Sequence, residues 1–324
     1  MKYYLGVDLG GTNIAAGVVD ENYNVVTRKS LSAGAMRPAG EVMRDVVCAA
    51  KAAAEQAGLS LRDFSSLGIG IPCGIHPETG RTVGNNNFVW DDLPIESVLK
   101  EYTELPIVLE NDANCAVLGE ALAGAARQCQ NVVMLTLGTG VGGGLLIDGK
   151  IYAGADGLGA ELGHMKLVFK GELCTCGQRG CVEAYSSATA LSRQAERLMK
   201  KRRDSLLWEL CAGNPGKVDG RMVFEAFRQD DEAAGEAVNR YIDYLVAAIS
   251  SFVAIFRPEI VILGGGIAEA EEALIKPVNE RLAANTYAGT EMGVPRVVKA
   301  ALGNDAGIIG AAFLERYGSR YLRK

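Results

Sequence analysis

Residues 3–31, YYLGVDLGGTNIAAGVVDENYNVVTRKSL, open the chain with two β-rich runs, Tyr3 to Val7 and Ile14 to Val19, joined by DLGGTN at 8–13 and followed by a third run from Val25 to Leu31. Apolar and β-branched runs on either side of a glycine tip predict a hairpin. Lacking β-carbons, Gly10 and Gly11 let backbone N–H groups close on an anion, and Thr12 adds a hydroxyl donor, so phosphate is the expected guest. Asp8, at the end of the first strand, has the hard oxygen chemistry that Mg²⁺ prefers, reached through water. The expected cofactor-binding set on this hairpin is Asp8, Gly10, Gly11, Thr12 and Asn13. The pattern returns further on, with Asn131 to Leu137, a turn GTGVGGG at 138–144, Leu145 to Ile147, and Ile151 to Tyr152. Two glycine-tipped hairpins in successive halves imply a duplicated α/β fold. Gly138, Thr139, Gly140 and Gly142 would grip the phosphates of one nucleotide from the second side.

Working outward, Val42, Val46, Val47, Ala50, Ala53, Ala54 and Ala57 recur at helical spacing and predict a helix over 38–57 with Gly58 as its stop. A strand at 67–71 runs into PCGIHPETG, where Gly74 permits a tight turn beside a ligand and His76 reads as a loop histidine. The amides of NNNFVW at 85–90 suit hydroxyl groups. In PIVLENDANCAVLGEALAG, 106–124, a buried strand from Ile107 to Glu110 passes directly into a helix, with Asn111 and Asp112 at the switch. Two readings of Asp112 stand side by side: a helix N-cap, or a group at a strand end facing a ligand crevice. Helices follow over 187–202 and 221–228. A longer one has Val238, Tyr241, Ile242, Leu245, Val246, Ile249, Phe252, Val253 and Phe256 on one face, with Pro258 past its end. The strand 259–263 leads to GGGIA at 264–268. There Gly264, Gly265 and Gly266 either form a simple turn or let backbone lie flat against an adenine or ribose. A strand at 296–300 and a last helix in GNDAGIIGAAFLERYG close the chain.

The segment GLGAELGHMKLVFKGELCTCGQRGCVEAYS, 157–186, gathers Cys174, Cys176 and Cys181 with one of the chain's 2 histidines, His164. Three thiolates and an imidazole fill a tetrahedral zinc sphere and leave no position for water, so the predicted zinc is structural. A disulfide is the alternative, disfavoured in a reducing cytosol. Glu161 and Glu183 flank the ligands.

ELGH at 161–164 and CTCGQRGCVE at 174–183 together resemble the signature of the ROK family of bacterial sugar kinases and related repressors, and with the segments above the resemblance extends over nearly the whole chain. It implies the two-domain fold of the actin, Hsp70 and hexokinase superfamily (ribonuclease H-like, duplicated), with a zinc-binding loop. The expected smaller domain is 1–110 plus 305–324; the larger, 111–304, carries the zinc loop and a dimerisation surface. The resemblance makes Asp112 the catalytic base. Asn86, four residues before Trp90, matches a sugar-contact asparagine, although the residues between depart from the family's Leu-Pro-Gly. The implied sugar set is Gly74, Asn86, Asn111, Asp112, Glu161, His164 and Glu183, with ATP and Mg²⁺ between the glycine hairpins. A hexose, glucose at its 6-hydroxyl first, is the implied substrate; N-acetylglucosamine, N-acetylmannosamine and fructose are the alternatives. A homodimer follows by the same analogy.

The chain has 324 residues, long enough for about two domains. It is 48% hydrophobic and 22% charged with a formal charge of -6, the balance of a soluble globular protein. No concentrated basic face accompanies that charge, which argues against nucleic acid as a partner. The absence of a signal-like start and of an uninterrupted apolar span of ~20 residues predicts a cytoplasmic protein without a membrane partner. Cys48, Cys73, Cys115, Cys129 and Cys211 are expected as small buried hydrophobes. Three function classes compete: a sugar kinase; a sugar-sensing repressor, which needs a helix-turn-helix before Asp8; and a zinc hydrolase with Glu161 as base, which needs an open metal position.

Overall fold

The computed structural model describes residues 1–34, 36–76, 78–84, 88–90 and 92–318; the expectation for Asn86 lies outside them. The chain forms two compact units, Met1–Val132 with Gly144–Ala160 and Ala301–Lys324, and Val133–Gly143 with Glu161–Ala300.

In the first unit the glycine-tipped hairpin is β1 (Tyr3–Leu9) and β2 (Asn13–Asp20), continued by β3 (Val25–Ser32), β4 (Leu67–Ile71), the short pair β5 (Gly74–Ile75) and β6 (Thr82–Val83), and β7 (Ile107–Asn111). The sheet order is β3-β2-β1-β4-β7, antiparallel through β3, β2 and β1 and parallel from β1 through β4 to β7. β2 is buried along almost its whole length, and its alternate residues serve two cores. Ile14, Ala16 and Val18 join the cluster made with helix Ala39–Gln56, while Ala15 and Val19 join Ile308, Ile309 and Phe313. That division follows from the two-residue period of a strand. The helix Asp112–Ala123 lies tightly on the helix Asp305–Ala312, where a β-carbon at Gly310 would come 1.8 Å from the Cys115 carbonyl oxygen. The expected domain break at 110/111 falls one residue before this packed helix, and the first unit continues to Val132.

The second sheet takes β8 (Val132–Leu137), β9 (Val141–Ile147), β10 (Lys150–Ile151), β11 (Ile260–Gly264) and β12 (Arg296–Lys299), in the order β10-β9-β8-β11-β12. Counted in chain order within each sheet, both run third, second, first, fourth, fifth, which is the duplication that the repeated hairpin predicts. The second turn is narrower than expected. β9 begins at Val141, so Gly142 lies inside a strand and the turn itself is residues 138–140.

The long helix runs Glu232–Phe256, capped at its start by the Asp231 side chain, which accepts from the Ala234 N–H. By length and composition it is the one helix among the described residues that could cross a membrane. Tyr241, Ile242, Leu245, Ile249, Phe252 and Val253 are nevertheless buried in its own unit, and it is a core helix. The helix Ile275–Asn285 has no counterpart in the sequence reading, because Val278 and Leu282 are its only buried residues and give too sparse a stripe. The last helix is interrupted at Phe313, giving Asp305–Ala312 and Leu314–Tyr317. Of the scattered cysteines, Cys73, Cys115 and Cys211 are buried as expected, Cys129 is half-buried, and Cys48 is exposed on the outer face of its helix.

Candidate active site and metal centre

In the first unit the parallel register sets Asp8 level with Gly70, and Gly70 level with Glu110. The ends of β1 and β7 therefore bring Asp8 near Asp112, the first residue of its helix. Burial, followed by the charge of Asp112, raises the pKa of Asp8 to about 7. The N-cap is Asn111, whose side-chain oxygen accepts from the N–H groups of Ala113 at 2.9 Å and Asn114 at 3.2 Å. The capping role read as one option for Asp112 thus belongs to its neighbour. Glu110, which the sequence reading passed over, is buried and accepts from the Asn111 N–H and the Asn114 side-chain amide. It fixes the strand-to-helix corner that presents Asp112. Gly74 lies in β5, where a β-carbon would come 2.2 Å from Leu158 Cδ2.

The first glycine turn is tied within its hairpin and to Ala33, just past β3. The Gly10 N–H donates to the Asn13 carbonyl at 2.8 Å, and the Thr12 carbonyl accepts from Ala33 N–H at 3.0 Å. Thr12 and Asn13 are exposed. In the second unit, Gly138 and Thr139 of the second turn line a cavity of about 740 Å³ together with Gly266, Ile267, Phe224 and Asp219. That volume lies in the range of small-molecule sites. Gly264 ends β11, and Gly265 holds φ 82° at the entry to the helical segment Gly266–Ala273. Phe224 and Asp219 carry no motif and were invisible in the sequence.

The metal residues converge. One ligand atom each from His164, Cys174, Cys176 and Cys181 all lie within 4.8 Å of one another. His164 Nδ1 is 3.7 Å from Cys174 Sγ, and Cys176 Sγ is 3.8 Å from Cys181 Sγ. A tetrahedron with zinc–sulfur bonds of about 2.3 Å and a zinc–nitrogen bond of about 2.0 Å has sulfur–sulfur edges of about 3.8 Å and sulfur–nitrogen edges of about 3.5 Å. The donor set and its spacing therefore fit a closed zinc site. Little regular structure holds this segment. It is anchored instead to the long helix, where Tyr185 and Tyr244 meet with ring centroids 4.5 Å apart and the buried Tyr241 hydroxyl donates to the Ser186 carbonyl at 2.6 Å.

Glu183 is buried and engaged at both oxygens: Oε2 accepts from the Val141 N–H at 3.0 Å, and Oε1 from the Thr175 hydroxyl at 2.5 Å and the Cys174 thiol at 3.1 Å. Glu161 reaches solvent, yet surrounding protein desolvates its carboxyl enough to raise its pKa; His164 opposes that shift and Glu183 adds to it. Val141 and Thr175 carry the contacts of Glu183, Gly163 packs on the Val141 carbonyl, and the only sequence signal for the three is their place inside or beside the motifs.

The ROK family model matches residues 4–317 of the chain. A glucokinase of Thermotoga maritima is 39% identical over 97% of this chain and 98% of its own length. An N-acetyl-D-glucosamine kinase of Shigella boydii is 31% identical over 96% of this chain and 98% of its own. Among solved structures, a ROK family glucokinase from Streptomyces griseus in complex with glucose and AMPPNP superposes with a TM-score of 0.82, at 33% identity, covering 96% of this chain and 98% of that one.

Proposed function

This chain belongs to the ROK family, and from that premise and the site geometry we propose that it is an ATP-dependent hexokinase transferring a phosphoryl group to the 6-hydroxyl of glucose. The observation that carries the reading is the end-to-end similarity to a glucokinase whose structure holds glucose and AMPPNP. Asp112, presented by the corner that Glu110 fixes, orients the sugar hydroxyl and accepts its proton. A helix N-terminus favours its ionised form and makes it a weak base, which suffices because a loose phosphoryl-transfer transition state needs little early proton removal. Asn111, Glu161, His164, Glu183 and, in the undescribed stretch, Asn86 bind the remaining hydroxyls, with Gly74 shaping the wall.

Asp8 would hold Mg²⁺, and Gly10, Gly11, Thr12 and Asn13 would offer donors to phosphate. Gly138, Thr139 and Gly140 would offer backbone donors to phosphate at the cavity that Gly264, Gly265 and Gly266 flank. Bound Mg²⁺ supplies neutralisation of the charge that develops on the transferred group. Zinc, held by His164, Cys174, Cys176 and Cys181, supplies a brace and no chemistry, since four protein ligands leave it no open position.

The test is a panel of hexoses with ATP and Mg²⁺ scored for ADP release, with Asp112→Asn alongside. Glucose is expected to give the highest kcat/KM, and Asp112→Asn to lower kcat by about 100-fold or more. An absence of stimulation by every sugar defeats the kinase reading. The N-acetylglucosamine kinase relatives favour N-acetylhexosamine as the second reading, and the panel includes it. The enzyme is proposed to work in the cytoplasm as a homodimer. No disulfide joins any of the 8 cysteines, as in a reducing compartment, and exposed Ile255, Tyr287 and Met292 on the second unit suit a subunit contact.

A further inference from the structure

The zinc segment and the second glycine turn meet at one residue, Val141, the first after the turn. Its N–H donates to Glu183 Oε2 at 3.0 Å. Its carbonyl oxygen faces Gly163, where a β-carbon would come 1.9 Å away. Gly163 precedes the ligand His164, and Glu183 stands two residues past the ligand Cys181, so the two grips on Val141 come from opposite ends of the metal set. Glu183 also packs against the turn, since a β-carbon at Gly140 would come 2.4 Å from its Oε2. Its other oxygen accepts from Thr175, which sits between the ligands Cys174 and Cys176. The residues that follow complete the hold: Ala188 N–H donates to the Gly138 carbonyl at 2.8 Å and the Thr189 hydroxyl to the Thr139 carbonyl at 2.9 Å.

We propose that Glu183, with Gly163, is a positioning residue through which the occupied metal site fixes the 138–140 turn, so that the metal governs affinity for the nucleotide's phosphates as well as the place of the sugar residues. The inference rests on the reading of that turn as a phosphate cradle. Backbone N–H groups bind an anion well only while they are held convergent, and the turn's own bond, from the Gly138 N–H to the Gly140 carbonyl at 3.0 Å, leaves the Thr139, Gly140 and Val141 N–H groups to be oriented by their surroundings. Glu183 supplies a further constraint from a buried site, where the Val141 N–H and the Thr175 hydroxyl fix its geometry while Cys174 serves the metal as a thiolate.

The experiment measures ADP-Mg²⁺ binding by calorimetry without sugar, with zinc content determined on each sample. Glu183→Ala, zinc retained, is expected to bind ADP at least tenfold more weakly. Glu183→Gln, whose amide oxygen still accepts from the Val141 N–H, should stay within about threefold of the parent, since a retained acceptor keeps most of the bond. Parent protein stripped of zinc should match Glu183→Ala. If Glu183→Ala loses its zinc or its fold, Thr175→Val decides on samples whose zinc content equals the parent's, because it removes a donor to Glu183 and keeps all four ligands, although its hydroxyl also lies 4.0 Å from Cys174 Sγ; a twofold to fivefold loss supports the coupling and parent affinity overturns it. Gly138→Asp separates the two readings, since a side chain there meets nothing within 4 Å and its carboxylate would repel phosphate. If Gly138→Asp binds ADP normally, the cradle reading itself fails. If Gly138→Asp blocks binding while zinc-loaded Glu183→Ala binds like the parent, the coupling alone is overturned.

Discussion

The turn at Gly10 and Gly11 is closed by the Gly10–Asn13 bond and tied to Ala33 just past β3, whereas the turn at 138–140, closed by its own Gly138–Gly140 bond, is held in addition by the Glu183 carboxylate, Ala188 and Thr189. The same residue type does different work in the two places. At Gly10 the nearest atom to an added β-carbon is the Asn13 carbonyl oxygen at 3.4 Å, while at Gly140 it is the Glu183 carboxylate at 2.4 Å. A glycine in the first turn leaves room for something that arrives; a glycine in the second makes room for a residue already there. Two stretches that read alike as sequence therefore differ in what would disturb them.

Removing the metal is the strongest way to break the comparison. Structural zinc sites in small domains are worth on the order of 10 kcal/mol of binding free energy. Chelation is therefore expected to lower the melting midpoint and to speed amide hydrogen exchange of Val141 by at least tenfold, with Gly10 unchanged, read by mass spectrometry of peptides covering 8–14 and 138–146. Equal acceleration at both turns would mean that the metal supports the whole chain indiscriminately.

Next in size is a pH effect confined to the first turn. Asp8 has a folded pKa near 7 against an ordinary 3.8, because burial and then Asp112 disfavour its charge. The folded state thus holds a proton that the unfolded state has released between those values, and stability falls as pH rises through 7. The full shift corresponds to at most about 4 kcal/mol. Melting curves without added Mg²⁺ should show the parent less stable at pH 8 than at pH 5.5. Asp8→Asn should flatten that slope, stand above the parent at pH 8, and lose sugar phosphorylation.

Much of this was legible in the sequence, and what was hidden has a common character. The hairpins, the strand-to-helix switch at 111–112 and the ligands His164, Cys174, Cys176 and Cys181 declare themselves, because strand period, turn chemistry and ligand spacing are local properties of the chain. Phe224 and Asp219 at the cavity, Glu110 behind Asp112, and Thr175 and Gly163 beside Val141 acquire their roles only when distant segments meet. The extent of the second turn was misjudged for a related reason. Glycines at 142–144 look like turn, yet Gly144 sits in β9 because a β-carbon there would come 2.5 Å from the Ala113 carbonyl oxygen. Close packing and turning ask for the same residue, and sequence does not say which.

A smaller effect should appear at Gly163→Ala. The added methyl must displace the Val141 carbonyl, an overpacking cost of about 1–3 kcal/mol. The melting midpoint should fall by a few degrees, and exchange protection at Val141 should weaken while that at Gly10 holds.

The smallest stability change is expected at Gly10→Ala, and it sharpens the comparison most. Gly10 is absent from the left-handed backbone positions, and its β-carbon would make only an ordinary contact, so stability should stay within about 0.5 kcal/mol of the parent. On the proposed function the methyl would stand where phosphate oxygens approach the turn, and a displacement of about 1 Å in a reacting group can cost 100-fold in rate. Gly10→Ala should therefore melt like the parent and show a kcat/KM for ATP lowered by at least tenfold. Gly140→Ala, colliding with a carboxylate that braces its turn, should lose melting temperature and activity together. If both variants lost stability alike, the first turn would be braced by contacts beyond its hairpin, and the two turns would differ in sequence position alone.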